Sequence, residues 1–262
     1  MCLLLVAHRA CPGYRLIVAA NRDEYHRRAT AAANHWQDQP AILAGRDLEG
    51  GGTWLGLNVA GRFATVTNVR SANAVRHSPR SRGLIVSDFL LAEHDATTYA
   101  ARLMPAAHDY DGFNLLAWDG EILSWLSNQA AAPRTLADGI YTLSNASLDT
   151  PWPKTERLRH AFSKVMDNHR GDPVAGLLEV LRDTARAVDA QLPDTGIGVE
   201  RERWLSSIFI EGDGYGTRCS SVLTINDAGH VSFHERRYDG EAQVSGDSRF
   251  EFELPGRAVN RA

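Results

Sequence analysis

Cysteine is scarce in this chain: Cys2, Cys11 and Cys219 are the three in 262 residues, and no two form a C-x-x-C pair. An odd number so widely spaced excludes a secreted disulfide framework and suits a reducing compartment. Long apolar runs are also missing. The opening MCLLLVAHRACPG has a short apolar run with no basic residue before it, unlike a signal peptide. His8 and Arg9 stand where a lipoprotein cleavage site would need small or apolar residues before Cys11. Nothing approaches the roughly 20 apolar residues that cross a bilayer. A cytoplasmic protein without a membrane span is expected. An excess of basic charge is absent as well, with 28 Lys and Arg against 32 Asp and Glu. That balance argues against a chain-wide nucleic-acid footprint.

What is present is ordinary globular composition, 44% hydrophobic and 23% charged. No repeat, linker or composition break divides the chain, so residues 1–262 are expected to form one domain. Leu3–Ala7 and Tyr14–Ala20 are continuous apolar runs joined by Pro12-Gly13, which predicts a hairpin buried on both faces. Thr53–Asn58 and Arg62–Asn68, turning at Ala60-Gly61, predict a second strand pair. Helices are expected over Gly83–Glu93, with Leu84, Ile85, Phe89 and Leu90 near one face, and over Ala96–Leu103. Strands are expected at Phe113–Trp118, Ile122–Leu126 and Ile140–Leu143, then helices at Thr155–Asp167 and Pro173–Val188. Four C-terminal strands follow, at Ser207–Ile210, Cys219–Asn226, His230–Tyr238 and Phe250–Leu254. This order points to an α+β layered sandwich, antiparallel sheets with helices outside them.

Cys2 directly follows the initiator Met, which aminopeptidases remove before small residues. A mature chain beginning at Cys2 would carry thiol and α-amine on one residue. An α-amine with a reference pKa of roughly 7.7–8.0 is partly unprotonated at neutral pH. It can take the thiol proton and return it to a leaving amine. The plain alternative is a buried apolar cysteine, and position alone favours it. Asn21-Arg22-Asp23-Glu24 follows the buried run of the second strand, which in an antiparallel hairpin lies beside the strand that begins at Cys2. There a cation would favour thiolate and a carboxylate could hold the amine; the alternative is a solvated turn.

Taken together, eight segments resemble one family: Met1-Cys2; Leu16–Glu24, which holds Asn-Arg-Asp-Glu; Gly51-Gly52-Thr53-Trp54-Leu55-Gly56; Thr67-Asn68; Gly112-Phe113-Asn114-Leu115; Leu143-Ser144-Asn145-Ala146; Thr150-Pro151-Trp152; and Gly214-Tyr215-Gly216-Thr217-Arg218. The chain is identified from them as a member of the NRDE family, the transport and Golgi organization protein 2 family. The matches run in order from residue 2 to about residue 238. The family is similar, more distantly, to cysteine N-terminal-nucleophile (Ntn) hydrolases such as bile salt hydrolase and penicillin V acylase. That resemblance implies a four-layer αββα sandwich with antiparallel sheets and an amidohydrolase acting on linear, non-peptide amides. It implies Cys2 as nucleophile, Arg22 as the arginine after the first hairpin, Asp23 as a carboxylate, Asn68 and Asn145 as supporting asparagines, and Arg218 as a late arginine. The hydrolases separate Arg and Asp by two residues, whereas here Arg22 and Asp23 adjoin. An ungapped alignment would place Asn21 and Glu24 in the two roles. Eukaryotic members are also linked to haem mobilisation and Golgi organisation, which implies the alternative of a non-catalytic binding or trafficking protein on this scaffold.

A fixed asparagine amide aimed at a developing oxyanion contributes about 3–4 kcal/mol, and two arginines near Cys2 would lower its pKa and could grip a substrate carboxylate. Backbone capping is the plain role for Asn68 and Asn145. Gly50–Gly52 enters a strand and lacks a following Lys-Ser/Thr, so it predicts a tight turn instead of a phosphate loop. His230 and His234 lie on an expected strand, where four residues span roughly 13 Å, too far for one metal. No metal or cofactor is expected. From Gly50 to Ser87 there is no acidic residue, while Arg62, Arg70, Arg76, Arg80 and Arg82 are present. That loop either draws a small anionic substrate or is simply solvated. Trp54, Trp152 and Trp204 either line an apolar pocket or pack in the core.

Overall fold

The structure, a computed structural model, describes residues 3–70, 80–169 and 171–255. In chain order the strands begin β1 (Leu3–Cys11), β2 (Tyr14–Tyr25), β3 (Thr30–His35), β4 (Ile42–Asp47), β5 (Leu55–Asn58) and β6 (Phe63–Asn68). Helices α1 (Arg82–Leu91) and α2 (Ala96–Leu103) follow, then β7 (Phe113–Trp118), β8 (Leu123–Ser127), β9 (Arg134–Leu136) and β10 (Gly139–Leu143). Next come α3 (Pro153–Asn168), α4 (Val174–Val180) and α5 (Val199–Trp204). The chain closes with β11 (Tyr215–Asn226), β12 (His230–Tyr238) and β13 (Val244–Glu253).

These strands form two antiparallel sheets. One runs β10-β1-β2-β11-β12-β13 and the other β3-β4-β5-β6-β7-β8-β9. The first hairpin shows why its strands read as unbroken apolar runs. Leu4, Val6, Leu16, Val18 and Ala20 point between the sheets, where they meet Leu55, Phe63, Leu116 and Trp118. Leu3, Leu5, Ala7, Ile17 and Ala19 point the other way, beneath Leu158 and Phe162 of α3 and Leu177 and Leu178 of α4. On the far side of the second sheet, Ile85, Val86, Phe89 and Leu90 of α1 and Ala96 and Ala100 of α2 cover Ala64, Val66, Leu115 and Ala117. The result is the αββα four-layer α+β sandwich.

The structure departs from the sequence expectations where local polar groups override pattern. Asn21-Arg22-Asp23-Glu24 is no turn; it continues β2, with Asn21, Arg22 and Asp23 buried. The helix expected over Pro173–Val188 is regular only to Val180, because Asp183 leaves it: its carbonyl takes Phe209 N–H at 2.8 Å and its carboxylate takes Ala185 N–H at 2.8 Å. Ser207–Ile210 is not a strand. Some of its backbone groups go to side chains, with Ile208 C=O accepting from Asn21 and Ile210 N–H donating to Thr217 Oγ1, and others to scattered backbone partners, Asp183 C=O and Thr217 N–H. Strands β3, β4 and β9 and helix α5 are short or polar and carry no clear period.

One buried carboxyl sits between the sheets. Glu235, 2% exposed, accepts from Ala33 N–H at 2.8 Å, with Arg237 Nη1 at 3.6 Å and the Cys219 thiol beside it. Burial pushes its pKa up, more than these partners pull it down. The folded state therefore holds this proton more tightly than the unfolded chain. Its contribution is complete below the unfolded carboxyl pKa of about 4.3 and is lost as pH rises through the folded value. Melting curves across pH should show this decline in the wild type and a flatter profile in Glu235→Gln. Parallel profiles would contradict it.

Candidate active site

Alternation along β2 divides the polar quartet between two faces. Asn21 and Asp23 point toward the helical layer, and Arg22 and Glu24 point between the sheets. Asn21 is saturated: Nδ2 donates to Leu181 C=O at 2.8 Å and Ile208 C=O at 2.9 Å, and Oδ1 accepts from Ser220 at 2.6 Å. Its role is to tie the loops after α4 and α5 onto the sheet. Asp23 accepts from Thr217 Oγ1 at 2.7 Å. Neither lines the cavity at the sheet ends, whereas Arg22 and Glu24 do.

That cavity, about 330 Å³, is bounded by β2, the β4–β5 connection, the end of β6 and the start of α1. Arg22, only 3% exposed, stacks its guanidinium 4.3 Å from the Trp54 ring centre. Its Nη1 is buried and has no hydrogen-bond partner among the described residues. Arg28 reaches the same space but is committed to Asp47 at 2.8 Å, and that carboxylate also takes the N–H groups of Glu49 and Gly50 at 3.1 Å. These bonds hold Asp47 below the usual carboxylate range against the upward push of its burial.

The expected glycine turn has a steric reason. Gly51 has φ +77°, which favours glycine, and a Cβ on Gly52 would lie 2.2 Å from the Gly83 carbonyl carbon. Only without side chains can the β4–β5 connection touch the first turn of α1, where Thr53 N–H donates to Gly83 C=O at 3.1 Å. The Gly51-Gly52-Thr53-Trp54 motif is thus a wall of the cavity.

Asn68 ends β6 and also lines the cavity. Its C=O accepts from Asn145 Nδ2 at 3.0 Å, so the backbone-capping role anticipated for Asn145 is present. Asn145, 6% exposed, is held at its other end by Arg70, whose Nη2 reaches Oδ1 at 3.3 Å and whose N–H donates to Asn145 C=O at 2.7 Å. Arg70 in turn donates to Glu202 of α5 at 2.8 Å, and Glu202 receives Thr195 N–H at 2.9 Å. Arg70 and Glu202 carried no sequence signal of this pairing, since 132 residues separate them. Arg218 occupies a bulge of β11 and turns its Nη1 to the carbonyls of Tyr25, at 2.8 Å, and Arg28, at 3.2 Å. Burial, and next the positive charge of Arg22, hold its pKa below the usual arginine value. It therefore braces the turn after β2 and does not line the cavity. Cys2 lies outside the described residues, as do Arg76 and most of the arginine loop.

The three tryptophans do not share a pocket. Trp54 borders the polar cavity, and Trp152 packs 5.1 Å from the Arg70 guanidinium. Trp204 lines a separate cavity of about 840 Å³ with Tyr25, Tyr215 and Arg201. His230 and His234 take separate partners, Glu253 at 2.7 Å and Asp247 at 2.9 Å.

Comparison with known proteins decides the family. The family model described as Transport and Golgi organisation 2 matches residues 1–240. The chain belongs to this family. Within the Transport and Golgi organisation 2 family it is 36% identical over 243 residues to the Transport and Golgi organization protein 2 homolog of Bos taurus, covering 85% of this chain and 86% of that protein. It is 34% identical over 239 residues to the Homo sapiens homolog, with the same coverage. The Drosophila melanogaster Transport and Golgi organization protein 2 is 29% identical over 267 residues, covering 92% of this chain and 93% of that protein. Among solved structures, the chain is similar to the Caenorhabditis elegans N-acylethanolamine-hydrolyzing acid amidase ortholog at a TM-score of 0.49 and 11% identity, over 85% of this chain and 92% of that one. That likeness is too loose to transfer any residue's role. Among the described residues of this family member, no helix is long and apolar enough to cross a membrane.

Proposed function

We propose that this chain is a cysteine Ntn hydrolase, residues 1–262 acting as one domain, that cleaves a small linear amide through an acyl-enzyme on Cys2. The observation that carries the reading is the buried Arg22, whose Nη1 has no partner among the described residues. The described β1–β2 ladder ends with Leu3 opposite Asn21, the neighbour of Arg22, and Cys2 immediately precedes Leu3 in the sequence. Cys2 is one peptide from Leu3, a Cα separation of about 3.8 Å, and its thiol is proposed to meet Arg22. A guanidinium beside a thiol favours thiolate, and a thiolate gives the orphaned N–H its acceptor.

With Met1 removed, the α-amine of Cys2 takes the thiol proton and the sulfur attacks the amide carbonyl. The carbonyl oxygen becomes an oxyanion facing Asn68 and Asn145, whose amides are the proposed donors. Collapse breaks the C–N bond, the leaving nitrogen takes the proton from the ammonium, and a thioester remains. Water then adds to the thioester, with the amine again acting as base, and releases the acid. Asp23 is proposed to hold the ammonium, and Arg218 to brace the turn that carries Arg22. Asn145 also caps the Asn68 carbonyl, and its amide nitrogen carries two hydrogens, so both uses are compatible.

Intact mass tests the scheme. The purified protein should have lost Met1 and, treated with an activated acyl ester, should gain one acyl group on Cys2. Cys2→Ala, and a form that retains Met1, should gain none at that site. Equal labelling of a Met1-bearing form would exclude the amine-as-base mechanism. No labelling of the processed wild type would leave a binding or trafficking scaffold instead of an enzyme.

A further inference from the structure

The polar cavity has one feature that the acyl-transfer chemistry leaves unused and one that it uses only in part. The first is the start of α1, a ten-residue helix whose N-terminal residues Ser81, Arg82 and Gly83 line the cavity. Ser81 caps this start, its Oγ taking Gly83 N–H at 3.3 Å and its C=O taking Leu84 N–H at 3.1 Å, so what the start offers to whatever faces it is its partial positive charge of about half a unit. Its first turn contains no acidic residue. The second feature is Arg22, nine-tenths buried, opening onto the same space with Nη1 unpartnered among the described residues. The guanidinium has five N–H donors in a planar fork, more than a single sulfur can accept.

The charges around the cavity lean the same way. Four arginines, Arg22, Arg28, Arg80 and Arg82, face three carboxylates, Glu24, Asp47 and Asp111. Of these carboxylates, Asp47 is consumed by Arg28 and two backbone N–H groups. Glu24 accepts from Tyr25 N–H at 2.8 Å and stands 3.9 Å from Arg28. The second cavity is lined by Arg27, Arg70, Arg201 and Asp213 besides Tyr25 and Trp204; Arg70 there is already bonded to Glu202, and among the described residues no helix of eight or more residues starts at it.

We infer that the polar cavity is an oxyanion-recognition subsite, in which Arg22 and the first turn of α1 clasp a compact carboxylate or phosphate. This rests on the proposed function only for the rest of the ligand: the substrate is then an anionic amide, its charged end seated here and its carbonyl toward Cys2. A cavity of about 330 Å³ fits a small head group with few further atoms.

Calorimetric titration of the full-length protein at low ionic strength tests the subsite without any substrate. Inorganic phosphate forms one arm and succinate the other. Saturable one-to-one binding in either arm is expected, and the tighter arm identifies the head group. Arg22→Met should weaken it at least tenfold, and Arg134→Met, on the exposed β9, should not. Because Arg22→Met could disturb folding, its melting curve is taken alongside, and Ser81→Pro offers a second route by altering the helix start alone. No saturable binding in both arms overturns the inference, as does wild-type affinity in a folded Arg22→Met. Cys2→Ala separates this claim from the enzymatic one: it should bind as wild type. Binding without acylation would sink the hydrolase reading and keep the subsite; acylation without binding would do the reverse.

Discussion

Glu202→Ala is expected to lower the unfolding free energy by about 3–5 kcal/mol, the range for removing one partner of a buried ion pair. Glu202 is 3% exposed and faces Arg70 at 2.8 Å; the Arg70 guanidinium packs 5.1 Å from the Trp152 ring. The substitution strands that guanidinium and also leaves Thr195 N–H without its acceptor. For a chain of this length each kcal/mol moves Tm by roughly 2–4 °C, so the loss is visible in a simple melt. Glu202→Gln keeps an acceptor in place and should lose distinctly less. An alanine variant that melts with the wild type would show that water already satisfies Arg70. A second readout belongs to the same variant: Arg70 holds Asn145 Oδ1, so its release lets the carboxamide turn.

Asn145→Ala should slow acylation of Cys2 by about 10²–10³-fold, the usual cost of one oxyanion donor. The rate constant should fall at saturating acyl donor, with little change in the concentration that half-saturates, because the donor acts on charge that develops after binding. Asn145→Asp is the informative companion: it has nearly the same shape but no amide hydrogen, and it places a negative charge where the oxyanion forms. Rates for Asn145→Ala within threefold of wild type would remove Asn145 from the chemistry and leave it only its bond to the Asn68 carbonyl.

Much of the architecture was legible because apolar period and turn chemistry agree with burial. Leu3–Ala7 and Tyr14–Ala20 face apolar layers on both sides, so an unbroken run was the correct signature. Phe113–Trp118, Ala96–Leu103 and His230–Tyr238 match their elements end to end. The polar end of β2 misled, because local reading equates charge with solvent, whereas Asn21 and Asp23 bond to groups 160 or more residues away and Arg22 is covered by Trp54. A separation of 132 residues likewise hid the pairing of Arg70 with Glu202. The family motifs found Arg22, Asn68 and Asn145, and the structure places all three around the polar cavity or one hydrogen bond from it. They could not tell that Arg218 turns toward the carbonyls of Tyr25 and Arg28, or that Asp23 and Arg22 point to opposite faces, since both facts depend on strand alternation and a bulge. The glycines at 51 and 52 were readable as a turn, but their contact with Gly83 needed the fold.

The buried Nη1 of Arg22, without a partner among the described residues, has a thermodynamic consequence for the whole molecule. It sits on a strand laddered on both sides, to β1 and to β11, so its unmet hydration is borne by the central sheet. Any molecule that meets that need binds only the folded chain, and by mass action it must raise the melting temperature with concentration. Heat resistance in the presence of metabolite mixtures therefore reports on occupancy before the reaction is known.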